Sequence, residues 1–369
     1  MWTRRQFLAR STSLVGLAAG TSGILALSRE KLPDGSASKG MITPATDKAI
    51  NEGLAYLARE QHADGSFGTV FHKGNVAITS LAALAFMSGG HQPGRGKYGK
   101  NVSRALDFML KQEVRMPQGG YLYNREGIHN GLHGPMYGHG FATLFLGEVY
   151  GMAHKKELRD KLKTTLRNAV QLIVKTQNQE GGWRYRPDSR DADISVTICQ
   201  IMALRSARNG GIAVPKSTVD RCIKYVKDCR NDDGGFRYTM QQFQPSGFAR
   251  SAAGVVALYS AGVYKGPEIE KGLEYLMKFK PGTVNQWNNQ GFREMQMHYF
   301  YGHYYAVQAM WTAGGKYWKE WYPAIRDELL TTRRPQEGVW DDRICPHYGT
   351  AMASIILQIP NNYLPILQK

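Results

Sequence analysis

Cysteine is scarce: four thiols, at Cys199, Cys222, Cys229 and Cys345, with no C-x-x-C pair. Cys222 and Cys229 are seven residues apart in a stretch with helical periodicity, two turns along an axis and too far to bridge. This argues against a disulfide framework or a paired-cysteine zinc site, and for free, mostly buried thiols. No low-complexity tract interrupts the chain, and no alternating polar–apolar stretch of any length signals a β-sheet. Acid is also in short supply, with 30 Asp and Glu against 47 Lys and Arg, a formal charge of +17. The basic residues are dispersed rather than run together. That speaks against a nucleic-acid arm and for a solvated basic surface, while a positive charge of this size favours acidic partners such as diphosphates, anionic glycans or anionic lipid surfaces.

What is present begins with an address. The chain opens MWTRRQFLARSTSLVGLAAGTSGILALSRE. Arg4-Arg5 followed by Phe7-Leu8 resembles a twin-arginine export signal, and the Gly/Ser/Thr-rich apolar segment behind it is too short and too polar to span a bilayer. We assign residues 1–28 to this signal, 29–44 to a polar linker and 45–369 to one folded domain, and expect a periplasmic or membrane-associated bacterial protein.

The rest of the chain repeats one phrase six times. An amphipathic helix leads into a glycine turn carrying an aromatic residue, and an apolar helix rich in small residues follows. The turns are ADGSFG, QGGYLYN, QEGGWRY, DDGGFRY, NNQGFREM and QEGVWDD. Polar-faced helices are expected near 47–60, 100–112, 156–176, 216–229, 268–279 and 317–332. Helices apolar on nearly all sides are expected near 75–87, 138–151, 193–204, 247–262, 300–314 and 348–359. Neither helix of such a hairpin buries its faces alone, so the hairpins must stack and close. The pattern predicts an all-α (α/α)6 toroid with an inner and an outer ring.

The Gln before the turn and the Gly-Gly-aromatic within it are clearest in TQNQEGGWRY, and EQHADGSFG and CRNDDGGFRY are looser copies. This repeat resembles that of squalene and terpenoid cyclases and of protein prenyltransferase β-subunits. The resemblance runs from about residue 45 to 359, within room for one toroid. Related toroids include polysaccharide lyases and thioester domains, whose Cys-Gly-Glu-Gln signature this sequence lacks. One fold hosts many activities, so the site residues have to be weighed on their own.

In a toroid the inner-helix N-termini surround a central cup that favours anionic groups. Read together, the residues at those starts include Asn75, His129, His133, His139, Asp188, Asp191, Asp193, Ser246, Arg250, Tyr299, Tyr301, His303, Asp341, Asp342 and His347. Class II terpene cyclases protonate an alkene or epoxide with the middle aspartate of a DxDD motif. The resemblance matches Asp193 to that proton donor and Asp191 to the first position, whereas Ile194 replaces the last aspartate. An Asp at a helix start is also a common N-cap, and both readings stay open here.

On the cyclase reading Asp193 is the general acid, supported by Asp191 and by a histidine such as His303 or His139. Trp183, Tyr185, Arg250, Tyr299, Tyr301, His133 and His347 would contact a polyprenyl or triterpenoid lipid. Aromatic rings there would face a carbocation, although turn aromatics also staple helix pairs. On a second reading, a polysaccharide lyase or hydrolase, His129, His133 and His139 and the tyrosines supply acid and base. A third is a toroid that binds a ligand without chemistry. No cofactor is expected. The prenyltransferase zinc ligands Asp, Cys and His have their nearest counterpart in Asp342, Cys345 and His347.

Overall fold

The computed structural model describes residues 36–125, 134–153, 155–241, 243–282, 297–334 and 337–368. The signal segment 1–28 and linker residues 29–35 lie outside them, as do His129 and His133. In chain order the described residues form helices α1 (Pro44–Glu60), α2 (Val76–Ser88), α3 (Gly99–Leu110), α4 (Pro135–Tyr150), α5 (Lys156–Lys175) and α6 (Ile194–Asn209). There follow α7 (Lys216–Asp228), α8 (Phe248–Ala261), α9 (Pro267–Met277), α10 (Tyr299–Ala313), α11 (Gly315–Thr332) and α12 (Pro346–Gln358).

The even-numbered helices form the inner ring. Each packs on the next, from α2 through α4, α6, α8 and α10 to α12, and α12 returns to α2, so the ring is closed. The odd-numbered helices lie outside, against the inner ones. Their sequences dictate this division. Every residue of α2 except Ala77 is buried, whereas α7 buries only Thr218, Cys222, Tyr225 and Val226. Small residues set the spacing of the inner ring. A methyl group at Gly140 on α4 would stand 2.7 Å from Cys199 Cβ on α6, and one at Gly147 would stand 2.4 Å from Ser206 Oγ. Only hydrogen fits at these two points of the seam.

The glycine turns carry two recurring devices. The first is the buried Gln at the end of an outer helix. Gln177 Nε2 donates to Gly181 O at 2.7 Å and to Thr218 O at 2.9 Å, tying its own turn to α7. Gln61 Nε2 does the same with Gly65 O at 2.9 Å and Asn101 O at 3.0 Å on α3. The second is a staple from the turn to the first turns of the following inner helix. The amides of Phe67, Trp183, Phe236 and Trp340 donate to the hydroxyls of Thr79, Thr197, Ser251 and Thr350 at 3.0, 3.1, 2.8 and 3.1 Å. Trp183 and Trp340 also donate Nε1–H to Ile173 O and Leu329 O of the preceding outer helices, both at 2.8 Å.

One local feature departs from the sequence expectation. Strands β1 (Glu113–Met116) and β2 (Gly119–Leu122) form a two-stranded antiparallel hairpin, with Met116 opposite Gly119. Strands of four residues are too short to display a period, and Pro117-Gln118 supplies the two-residue turn. At the opposite end of the ring from the glycine turns, the C-terminal segment is held by a buried carboxylate. Glu148 Oε1 accepts from Ser206 Oγ at 2.6 Å and Oε2 from Ile366 N–H at 3.2 Å, while burial pushes the group up to about 7. No described helix is long and apolar enough to cross a membrane.

Candidate active site

A cavity of about 630 Å³ opens at the end of the ring where the inner helices begin. It lies within the range of about 300–1,000 Å³ usual for small-molecule sites. Its wall comes from the first turns of α2, α4, α10 and α12 and from the loops that lead into them. Val76, Leu81, Phe141, Tyr137, Tyr301 and Tyr348 make it largely apolar and aromatic. His72, His298 and Arg343 supply cationic or imidazole groups, and Asn75 and Asn124 supply amides.

Asp193 stands beside this cavity and is not part of its lining. It is the N-cap of α6: Oδ1 accepts from Val196 N–H at 2.8 Å. The residue is fully buried, and Oδ2 has no hydrogen-bond partner. Burial pushes the carboxyl up to about 7, against the opposing pull of the Val196 amide and the Arg184 guanidinium. The cap and the acid are therefore compatible, because one oxygen caps while the other is free to carry a proton at neutral pH. Tyr137 and Tyr301 line the cavity and are near enough to Asp193 for its charge to act on their hydroxyls. Tyr301 is fixed there by donating Oη–H to Ser195 O at 2.9 Å.

Asp191 has a different task. It pairs with Arg184, whose guanidinium lies 5.2 Å from the Tyr185 ring and 5.8 Å from the Tyr238 ring. By neutralising Arg184 it limits how far that cation lowers Asp193. Ile194, where a third aspartate would stand, is fully buried and donates its N–H to Tyr238 O at 3.0 Å. Asp188 is exposed.

Of the expected histidines, the described ones, His139, His303 and His347, do not line the cavity. His139 sits in the layer between rings: Nδ1 accepts from Leu122 N–H at 3.1 Å and Nε2 lies 3.2 Å from Ala169 O. It thus occupies, in the second hairpin, the staple position that Thr and Ser fill in others. His347 Nδ1 accepts from Gly68 N–H at 3.0 Å and packs against Tyr56, His62 and Phe67. His303 is enclosed by Tyr299, Phe248 and Trp321, with ring centroids 4.5, 4.9 and 5.9 Å away. Burial holds all three imidazoles low, His139 and His347 at about 4 and His303 at about 3.

Of the expected substrate contacts, Tyr185 and Tyr301 line the cavity. Trp183 is a buried staple, and Tyr299 donates Oη–H to Glu328 Oε1 at 2.5 Å in the outer layer. Arg250 reaches Pro245 O at 2.7 Å, beside the mouth rather than in the wall. Asp342 Oδ1 accepts from Ile344 N–H at 2.8 Å, and among the described residues no three His, Cys, Asp or Glu side chains form a metal-holding group. Those positions therefore do not fit the prenyltransferase zinc set. The sequence reading missed Tyr137, Tyr348, His298 and Arg343. Tyr137 precedes the stretch taken as the start of α4, because Pro135 begins that helix earlier. Arg343 directly follows the Asp341-Asp342 pair that drew attention instead.

The profile of the squalene-hopene cyclase C-terminal domain matches residues 147–319. Over that stretch, just under half of its length, the chain is similar to the terpenoid cyclase and prenyltransferase toroid superfamily. Within it, drimenyl diphosphate synthase of Streptomyces showdoensis is 27% identical over 197 residues, covering 53% of this chain and 33% of that protein. The drimenyl diphosphate synthase of Streptantibioticus cattleyicolor is 26% identical over 197 residues, 53% of this chain and 34% of its own. The chain thus matches about a third of the length of these curated relatives. The type II terpene cyclase MstE from Scytonema shares the fold, with a TM-score of 0.56 at 15% identity over 87% of this chain and 99% of its own. So does the cellobiose 2-epimerase of Bacillus thermoamylovorans, with a TM-score of 0.62 at 13% identity over 86% and 99%. The same fold is thus found in a terpene cyclase and in a sugar epimerase.

Proposed function

We propose that this toroid is a class II cyclase-like enzyme that folds and protonates an isoprenoid chain, with Asp193 as the general acid. The observation that carries the reading is the free, buried Oδ2 of a carboxyl pushed up to about 7, beside an aromatic-lined cavity. Protonation would convert an alkene or epoxide to a cation. The ring faces of Tyr137, Phe141, Tyr301 and Tyr348 suit the positive charge that then migrates along the chain.

Ile194 in place of a third aspartate has a chemical consequence. A carboxyl near 7 is a mild acid, so an easily protonated terminal epoxide is favoured over an unactivated alkene. Incubating the protein with squalene, farnesyl diphosphate and their terminal epoxides, followed by mass spectrometry of the products, tests this. Cyclised product from the epoxides is expected, and recovery of acyclic material alone from every substrate would sink the proposal.

Support for a sugar substrate is weaker. His139, the described member of the proposed acid–base histidines, is committed to the Leu122 and Ala169 backbone.

Two statements about location belong to the same reading. Exposed Val70, Phe71, Phe243 and Met297 all stand in or next to loops leading into inner helices, the end where the cavity opens. With the net charge of +17 they suit contact with an anionic bilayer, and flotation with anionic vesicles checks it. Export by the twin-arginine route rests on Arg4, Arg5, Phe7 and Leu8, and fusing residues 1–28 to a reporter tests it.

A further inference from the structure

The inner helices end at the face opposite the cavity mouth, and there residues 359–368 pack against α6 and α10. Leu364, Ile366 and Leu367 are buried, and Pro365–Leu367 form a short 3-10 turn. The segment is tied down through its backbone. Trp311 Nε1–H of α10 donates to Leu367 O at 3.1 Å, Arg205 of α6 donates to Gln368 O at 2.8 Å, and Ile366 N–H donates to Glu148 Oε2 of α4 at 3.2 Å. Tyr363 of the same segment walls a second cavity of about 430 Å³, together with Met87, His91 and Met152. Glu148 is the weak point of this closure. It is buried, and its donors, Ser206 Oγ–H and Ile366 N–H, are neutral. Arg205 is the cation that acts on it, yet its two terminal nitrogens are used on the carbonyls of Tyr259 and Gln368. The other titratable group within its field is the Tyr304 hydroxyl of α10, while α2, α5 and β2, which also pack on α4, bring no charge to it.

We propose that Glu148 is a pH-sensitive latch: its neutral carboxyl keeps the C-terminal segment seated, and its ionisation releases that segment and opens the far end of the ring, with the second cavity, to solvent. A buried carboxylate without an ion pair is costly, and water must reach it once it is charged. Helices α4 and α6 cannot part to admit water without breaking the close seam at Gly140 and Gly147, whereas the terminal turn can lift as a local opening. Seated, the carboxyl is pushed up to about 7 by burial; released and hydrated, it returns to the ordinary 4.5. The seated form therefore holds the proton more tightly. Seating is strongest below 4.5, weakens as pH rises towards about 7, and changes little above that. The latch does not depend on the isoprenoid reading.

Hydrogen exchange of the full chain tests this, read by mass spectrometry on the C-terminal peptide and corrected for the intrinsic pH dependence of exchange. In wild type the opening constant of residues 366–368 should rise roughly thirtyfold from pH 5 to pH 7, close to the limit of about tenfold per pH unit for one proton. Peptides from α4 and α6 should not lose protection in step. Glu148→Gln still offers an oxygen to Ile366 N–H and an amide N–H to Ser206 Oγ, and it carries no charge. Its C-terminal peptide should stay protected, with less than about threefold change over the same range. Ile366→Pro deletes the donated N–H, alters only the terminal segment, and reads the same bond if Glu148→Gln does not fold. Its terminal peptide should exchange fast at both pH values. A flat wild-type profile, the wild-type rise in Glu148→Gln, an unaltered profile in Ile366→Pro, or parallel loss of protection in α4 and α6 overturns the latch.

Discussion

Asp193 caps α6 with one carboxyl oxygen, 2.8 Å from the Val196 amide, and leaves the other oxygen buried without a partner. This relationship separates two roles that a single substitution would otherwise confuse. Asp193→Asn keeps an acceptor for Val196 and should melt close to wild type. Asp193→Ala removes the cap and should cost about 1 kcal/mol. Both should abolish proton donation, so activity and stability part company in the first variant only. Thermal melts of the two variants beside an activity assay check this.

The acid sensitivity of the fold should trace to the buried imidazoles of His139, His303 and His347, of which His139 and His347 can be tested cleanly. Both have pKa values lowered to about 4, and in each Nδ1 accepts a backbone N–H. The unfolded chain takes up these protons below about 6.5, whereas the folded chain resists until near 4, so stability is lost as pH falls through that window. Each contributes about 1.4 kcal/mol per pH unit there. His139→Asn and His347→Asn retain an acceptor near Nδ1 and do not titrate. Denaturation midpoints at pH 7.5 and 5.5 should differ less in each variant than in wild type. An unchanged difference would contradict the assignment.

Gln177 should matter more than a polar side chain usually does. Its amide spans its own turn and α7, and its Oε1 accepts from Arg221, so truncation leaves buried backbone carbonyls unpaired. Gln177→Ala should cost about 2–3 kcal/mol, read from chemical denaturation. An effect under about 0.5 kcal/mol would mean that water replaces the brace.

The inner seam should reject side chains. Gly140→Val pushes branched carbons into Cys199 and should cost about 3 kcal/mol or prevent folding, whereas Gly151→Ala, with a helical φ of −63° and only ordinary van der Waals contacts, should cost much less. Soluble yield and melting temperature of the pair make the comparison.

The ring was legible in the sequence because its cause is local. Six glycine–aromatic turns, each between a one-sided and an all-round apolar helix, leave little choice of architecture. The site was only half legible. Asp193 and Tyr301 announced themselves by position at inner-helix starts. His139, however, shares its place in the repeat with Thr79 and Thr197, and only the hydrogen bond from the Leu122 amide reveals it as a staple. Sequence spacing puts a residue at a helix start but does not say whether it faces the cavity or the outer ring. His303, enclosed by Phe248 and Trp321, faces outward. Arg343 was missed for the opposite reason: it stands in a loop, where no periodicity marks a wall.

The central claim is that Asp193 delivers the proton. The most direct measurement is the rate of cyclisation of an epoxidised farnesyl chain by wild type and by Asp193→Asn across pH 5 to 9. The account predicts a wild-type rate that falls as pH rises through about 7, where the carboxyl loses its proton, and no cyclised product from Asp193→Asn at any pH. Cyclisation by a folded Asp193→Asn at the wild-type rate would contradict it.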